Sequence, residues 1–166
     1  MLALSDPAAG QAGTAKLPPQ VQRELMSMVK ACRDAGGKPG KSPSLLVIVD
    51  LTGDRVADFV IDQSAFNCEG AASLFSGTGG SELIIYAGAG HGKAVKVFEH
   101  GVMEVKVDKT ASPASVKVAV GGVFCGQRSS QSLVRSDLQA CWRSLEWSAS
   151  KNRVEFAPLS RVEPYK

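Results

Sequence analysis

Apolar residues recur with helical spacing near the start of the chain and with strand spacing over the rest. Between residues 19 and 35 one helical face carries the apolar positions Val21, Leu25, Met28, Val29 and Cys32. Pro19 suits a first helical turn, and Gly36-Gly37 suits a C-terminal end. The pattern predicts one amphipathic helix over about residues 19–35, packed through its apolar face.

Short segments of apolar or alternating residues, separated by turn signals, fill the rest of the chain. They span residues 45–50, 56–61, 82–87, 94–98, 102–107, 115–120, 142–147 and 153–156. Residues 66–80 and 126–136 read as loops. No helical pattern separates the strands, which disfavours a doubly wound fold. The predicted fold class is α+β, with the helix packed on a predominantly antiparallel β-sheet or sandwich of about eight short strands.

The length of 166 residues predicts one domain. Residues 18–166 would form it, and residues 1–17 would be a flexible N-terminal tail or the remnant of a signal peptide. No apolar run reaches the roughly 18 residues of a membrane span. The net charge of +3 is too small to indicate a nucleic-acid partner unless it is clustered.

Basic residues concentrate in the C-terminal third of the chain. They are Arg128, Arg135, Arg143, Lys151, Arg153 and Arg161. Glu146 and Glu155 are interleaved with them, so a solvated face explains them better than a nucleic-acid patch.

Four cysteines, Cys32, Cys68, Cys125 and Cys141, allow three pairings. The pairs Cys32–Cys68 and Cys125–Cys141 are favoured because each joins neighbours in the sequence. The alternative is four free buried thiols in a cytosolic protein. An even count in a small chain favours disulfides and a periplasmic or secreted location.

The most specific motif is an aspartate loop. Oxygen-bearing side chains stand at loop positions 1, 3, 5 and 9, and position 7 could offer a backbone carbonyl: Asp50, Thr52, Asp54, Asp58 and Val56. Calcium requires 6–8 oxygen ligands, and this spacing curls a short segment around one ion. The alternative is a tight hairpin whose aspartates cap turns and form ion pairs with Arg55. Both interpretations stay open.

The segment Asp50-Leu-Thr-Gly-Asp54, followed by Asp58-Phe-Val-Ile, resembles the calcium loop of FG-GAP/VCBS propeller repeats. The resemblance covers one repeat length, about residues 45–90, and implies a loop whose aspartates bind calcium. A propeller needs about 4–8 blades, so this chain cannot close one alone.

Over residues 20–157 the chain also resembles small exported bacterial domains of unknown function. The shared features are Cys32, the aspartate loop, the segment 68–75, Cys125, Cys141 and Leu145-Glu-Trp147. This resemblance brings no known activity.

Trp142 and Trp147 lie five positions apart on a predicted strand and therefore face opposite sides of it. One is expected in the core, and the other is a candidate anchor for a protein partner. Packing of both under loops is the alternative. His91 and His100 are interpreted as surface residues, and no G-x-S-x-G nucleophile motif is present.

These features favour a non-enzymatic exported binding or accessory domain with a structural calcium loop. One alternative is an exported hydrolase that uses the carboxylates of Asp50, Asp54 and Asp58. Another is a subunit of a larger assembly with residues 1–17 as an ordered arm. The candidate ligands are thus calcium and an unidentified protein.

Overall fold

The computed structural model describes residues 16–77, 79–128 and 138–166. Its α-helix is α1, Pro19–Asp34. Its strands are β1 Lys38–Pro39, β2 Leu46–Val49, β3 Asp58–Asp62, β4 Cys68–Glu69, β5 Ser81–Gly88, β6 Ala94–Val102, β7 Glu104–Asp108, β8 Ser115–Gly121, β9 Ala140–Ser148, β10 Arg153–Phe156 and β11 Glu163–Pro164.

Helix α1 begins and ends as its sequence predicts. Pro19 occupies the first helical position, where its missing N–H costs no hydrogen bond. After the helix, Gly36 adopts φ +78°, and the N–H of Gly37 donates to the Cys32 carbonyl at 2.8 Å. This left-handed turn stops the helix and sends the chain back toward the sheet.

Two antiparallel sheets follow. Sheet I has the strand order β2-β3-β5-β6. Sheet II has the order β10-β9-β8-β7, with β11 also paired to β9. The chain passes between the sheets at Met103, whose N–H donates to the Ala119 carbonyl of β8 at 2.8 Å. A separate two-stranded ladder joins β1 to β4.

Sheet I is the middle of three layers, because it is covered on both faces. Toward α1 it presents Phe59, Ile61, Ile84 and Tyr86, which pack with Val21, Met28 and Cys32. Toward sheet II it presents Val60, Leu83, Ile85 and Val97, which pack with Val116, Val118, Leu145 and Val154. Burial of both faces explains why β3 and β5 are continuous apolar runs instead of alternating ones.

The predicted α+β class and the predicted helix are confirmed. Every predicted strand overlaps an observed one, and the described residues add the two-residue strands β1, β4 and β11. The break predicted between residues 98 and 102 is wrong, since β6 pairs with β5 through Glu99, His100 and Gly101. The predicted loop 66–80 contains β4, which pairs with β1.

Among the described residues, no helix is both long enough and apolar enough to span a membrane. Residues 1–15 of the predicted tail and residues 129–136 of the predicted loop 126–136 lie outside the described residues.

Candidate functional site

The aspartate loop joins β2 to β3, and it is organised around Asp58. This side chain is fully buried. Its Oδ2 accepts hydrogen bonds from the N–H groups of Leu51 at 2.7 Å and Thr52 at 3.0 Å, and its Oδ1 accepts one from Gly88 at 2.9 Å. The carboxylate therefore ties the loop to the end of β5. At Gly88 a Cβ would collide with the Ala57 carbonyl oxygen, so glycine allows this close approach.

The exposed part of the loop is built by two further carboxylates. Asp50 accepts hydrogen bonds from the N–H groups of Gly53 at 2.7 Å and Arg55 at 3.0 Å. Asp54 accepts one from Val56 at 2.7 Å. These are turn-capping contacts of the kind that aspartate forms with backbone two to five residues ahead.

The structure thus brings the predicted calcium ligands into one loop but directs their carboxylates at backbone N–H groups. The Thr52 hydroxyl oxygen is buried and has no hydrogen-bond partner in the described chain. Across residues 16–77, 79–128 and 138–166, no three His, Cys, Asp or Glu side chains are grouped to hold a metal ion. The turn-capping contacts are those of the hairpin alternative, whereas the ion pairs with Arg55 that it also predicted are absent among the described residues. Calcium binding stays a prediction.

Both predicted disulfides are present, Cys32–Cys68 and Cys125–Cys141, each with a Cα–Cα distance of 5.8 Å. The first lies in the core between α1 and sheet I, with both cysteines buried. The second ties the short 3-10 turn Gly122–Cys125 to β9. The first disulfide thus joins α1 to β4, and the second joins a turn to sheet II. Each fastens a segment that forms no strand of sheet I or sheet II.

Trp142 lies on the face of β9 that points away from the core. Its ring is half-buried and lies 5.5 Å from the Tyr165 ring. The Lys106 ammonium stands 4.0 Å from the Trp142 ring centroid, a cation–π contact. Ala119, the register partner of Trp142 on β8, is fully buried. The result is an aromatic centre on the solvent side of sheet II, held in place by neighbouring strands.

Trp147 faces the opposite side of β9, as the strand alternation predicts. It packs against the core between the sheets and lines a small cleft with Leu51, Val116 and Leu145. Trp147 is thus a packing residue, and Trp142 is the tryptophan available to a partner.

Arg143 is the site feature that sequence reasoning missed. Its predicted position on a solvated face is wrong, because the side chain is only 5% exposed. The two terminal guanidinium nitrogens donate to the carbonyl oxygens of Phe124 and Ala157, and Nε has no partner in the described chain. No described carboxylate forms an ion pair with it. Alternation with Cys141 and Leu145, both buried, was the one sequence signal of its inward direction.

An aromatic cluster surrounds this guanidinium, and it contains His100. The Phe156 ring lies 5.2 Å from Arg143 and 5.1 Å from His100. Phe124 contacts His100 at 4.4 Å. His100 is half-buried in this cluster, so its predicted surface position is only partly correct, whereas His91 is exposed in its turn. Burial lowers the pKa of His100, and the charge of Glu82 opposes that shift.

A second polar group fixes α1 on sheet I. The Tyr86 hydroxyl donates to Glu24 at 2.8 Å, and the Lys96 ammonium lies 3.4 Å from the same carboxylate. The pKa of Tyr86 is raised to about 12, mainly by burial and secondly by the hydrogen bond to Glu24. The phenol therefore stays protonated and acts as a donor that anchors the helix.

Comparison of the chain with models of protein families, with curated proteins and with solved structures finds no match. The resemblance to FG-GAP/VCBS repeats and to small exported domains therefore stays a prediction from the motifs.

Proposed function

We propose that this chain is a non-enzymatic domain, exported to the periplasm or beyond, that binds a protein partner through the solvent face of sheet II. The observation that carries the proposal is the aromatic centre formed by Trp142, Tyr165 and Lys106. Tryptophan and tyrosine held rigidly at low entropy cost are the residues that supply most binding energy in protein interfaces. The two disulfides support the exported location.

The surroundings of Trp142 support a protein partner. The charged pairs Lys106–Glu104 on β7 and Lys117–Glu163 between β8 and β11 lie in the same sheet as Trp142. Polar groups of both signs around an aromatic centre are the arrangement of a protein interface, with an apolar middle and a polar rim.

Site-specific photo-crosslinking in the native compartment tests the proposal. A crosslinker at Ser144, beside Trp142 on the same face, should give one defined adduct, and Trp142→Ala should abolish that adduct. The matched control carries the crosslinker at Ser27, on the exposed side of α1, and should not give the adduct. No adduct from Ser144, or an adduct unchanged by Trp142→Ala, would overturn the proposal.

A substitution at Asp54 distinguishes the proposed binding domain from the alternative, an exported hydrolase. In a binding domain, Asp54→Ala removes one turn-capping hydrogen bond and lowers stability slightly. In a hydrolase that uses the loop carboxylates, the same change would abolish turnover and leave the fold intact.

Calcium binding has its own measurement. A thermal melt with calcium and with a chelator should show a rise of several degrees if the loop binds the ion, since saturation at 100 times the Kd adds about 2.7 kcal/mol. The rise should vanish in Asp54→Ala. Equal melting temperatures with calcium and with chelator would contradict calcium binding. The aspartates would then serve only to cap the turns of the loop.

A further inference from the structure

Positive charge is dense in the segment 16–41. Residues 16–41 contain six basic and two acidic residues, and the rest of the chain contains thirteen basic and fourteen acidic residues. The segment that forms α1 and the turn into β1 and beyond thus has a net charge of +4, and residues 111–166, with eight basic and four acidic residues, have the same net charge over about twice the length.

Helix α1 directs part of this charge outward. Val21, Met28 and Cys32 are buried against sheet I. Four residues on the opposite side form what we name the outer helix face: Arg23, Met26, Lys30 and Arg33. All four are exposed, and Met26 reaches 61% exposure although its side chain is apolar.

Little within the described chain neutralises this face. Lys30 pairs with Asp34 at 2.5 Å, and Arg23 and Arg33 form no ion pair with any described residue. The neighbouring Glu24 points inward, where it accepts the Tyr86 hydroxyl and pairs with Lys96. Of the two acidic residues of the helix, Asp34 offsets Lys30, and Glu24 is committed to the sheet.

We propose that the outer helix face docks on the surface of an anionic phospholipid bilayer. Its cations would contact lipid phosphates, and the exposed Met26 side chain would enter the interface between headgroups and acyl chains. Charge complementarity and shape both favour a bilayer as the partner of the outer helix face. A single convex helix with an exposed apolar side chain fits the flat interface of a bilayer and offers no groove for an acidic peptide. The small net charge of the chain does not indicate a nucleic acid. This surface lies on the opposite side of sheet I from sheet II, so membrane docking leaves Trp142 free.

Vesicle co-sedimentation of the full chain tests the proposal. The protein should bind vesicles that contain phosphatidylglycerol, should bind much less to pure phosphatidylcholine, and should lose binding as salt is raised. The triple variant Arg23→Gln/Lys30→Gln/Arg33→Gln should bind about 100-fold more weakly, since each basic residue near an anionic surface contributes about fivefold. Met26→Ala should weaken binding by a smaller factor.

A matched control separates this face from net charge alone. Lys93, Lys109 and Lys166 are exposed cations outside the segment, and changing all three to Gln removes the same total charge. That variant should keep most of the binding. Equal losses in both triple variants, or no binding to phosphatidylglycerol vesicles at low salt, would overturn the proposal. Circular dichroism verifies that each variant keeps its fold.

Discussion

Asp58 and Arg143 are two buried charges of opposite sign, each held by backbone groups in place of a partner ion. Asp58 is fully buried, and its two oxygens accept three N–H groups at 2.7–3.0 Å. Arg143 is 5% exposed and donates to two carbonyls, while its Nε has no partner in the described chain. The carboxylate is thus better satisfied than the guanidinium.

The two residues also differ in what they hold together. Two of the N–H groups bound by Asp58 belong to its own loop, so the contact closes a local hairpin. Arg143 instead connects β9 to the turn at Phe124 and to the segment after β10 at Ala157. Burying an ion costs several kcal/mol, and only hydrogen bonds that replace its hydration offset that cost. The comparison indicates that Asp58 is a major source of stability and that Arg143 mainly determines which segments meet.

Asp58→Asn should give the largest loss in the free energy of unfolding. The amide would place an NH₂ group against at least one N–H that now donates to a carboxylate oxygen, and charge-assisted bonds contribute about 1.5–3 kcal/mol each. We expect a loss of about 3 kcal/mol in the free energy of unfolding, measured by urea denaturation. Asp54→Asn is the control, because its single bond lies at the exposed surface. A loss for Asp58→Asn no greater than for the control would contradict a structural role for the buried carboxylate.

Arg143→Met should cost less, about 1 kcal/mol, because two carbonyls lose their donor while a buried charge is removed. Arg143→Lys should be less stable than Arg143→Met, since lysine keeps the charge but cannot reach two carbonyls as a planar fork. Urea denaturation of both variants gives the order. If Arg143→Lys is the more stable of the two, the charge and not the fork is what the site requires.

His100 should add a small pH dependence. Burial lowers its pKa below the ordinary 6.5, so the unfolded chain takes up the proton at a higher pH than the folded protein. Stability is therefore full above about pH 6.5 and falls as the pH drops below it, until the folded imidazole also protonates. The groups around it are Glu82 on β5 and Arg143 across the Phe156 ring.

Melting temperatures between pH 7.5 and 5 check this prediction, with His100→Phe as the control that should flatten the profile in that range. Glu82→Gln should steepen the slope, because the charge of Glu82 opposes the lowering of the His100 pKa. A slope that persists in His100→Phe would assign the pH dependence to other groups.

Much of the fold could be predicted from the sequence, since it follows from local patterns. The 3.6-residue period gave α1, and period-two or continuous apolar runs gave the long strands. The pairing Cys125–Cys141 followed from proximity in the chain. The direction of Trp142 and Trp147 to opposite faces followed from strand alternation. These features depend only on the local geometry of a helix or a strand and on residues that are close in the sequence.

The tertiary structure decided what depends on residues far apart in the chain. The aspartate spacing does not distinguish a calcium loop from a hairpin, and Asp58 bonds to Gly88, thirty positions away. In the charge pattern of the sequence, Arg143 does not differ from the other basic residues of the C-terminal third. Its burial depends on the carbonyl oxygens of Phe124 and Ala157, which only the folded chain places beside it. His100 likewise becomes half-buried only through its contacts with the rings of Phe124 and Phe156.

The sequence by itself determined the element types and favoured the cysteine pairs that form. Only the tertiary structure decided which charged side chains are buried and which remain exposed. The physical reason is that burial of an ion depends on whether distant backbone dipoles can replace its water, and no local pattern records where those dipoles will lie.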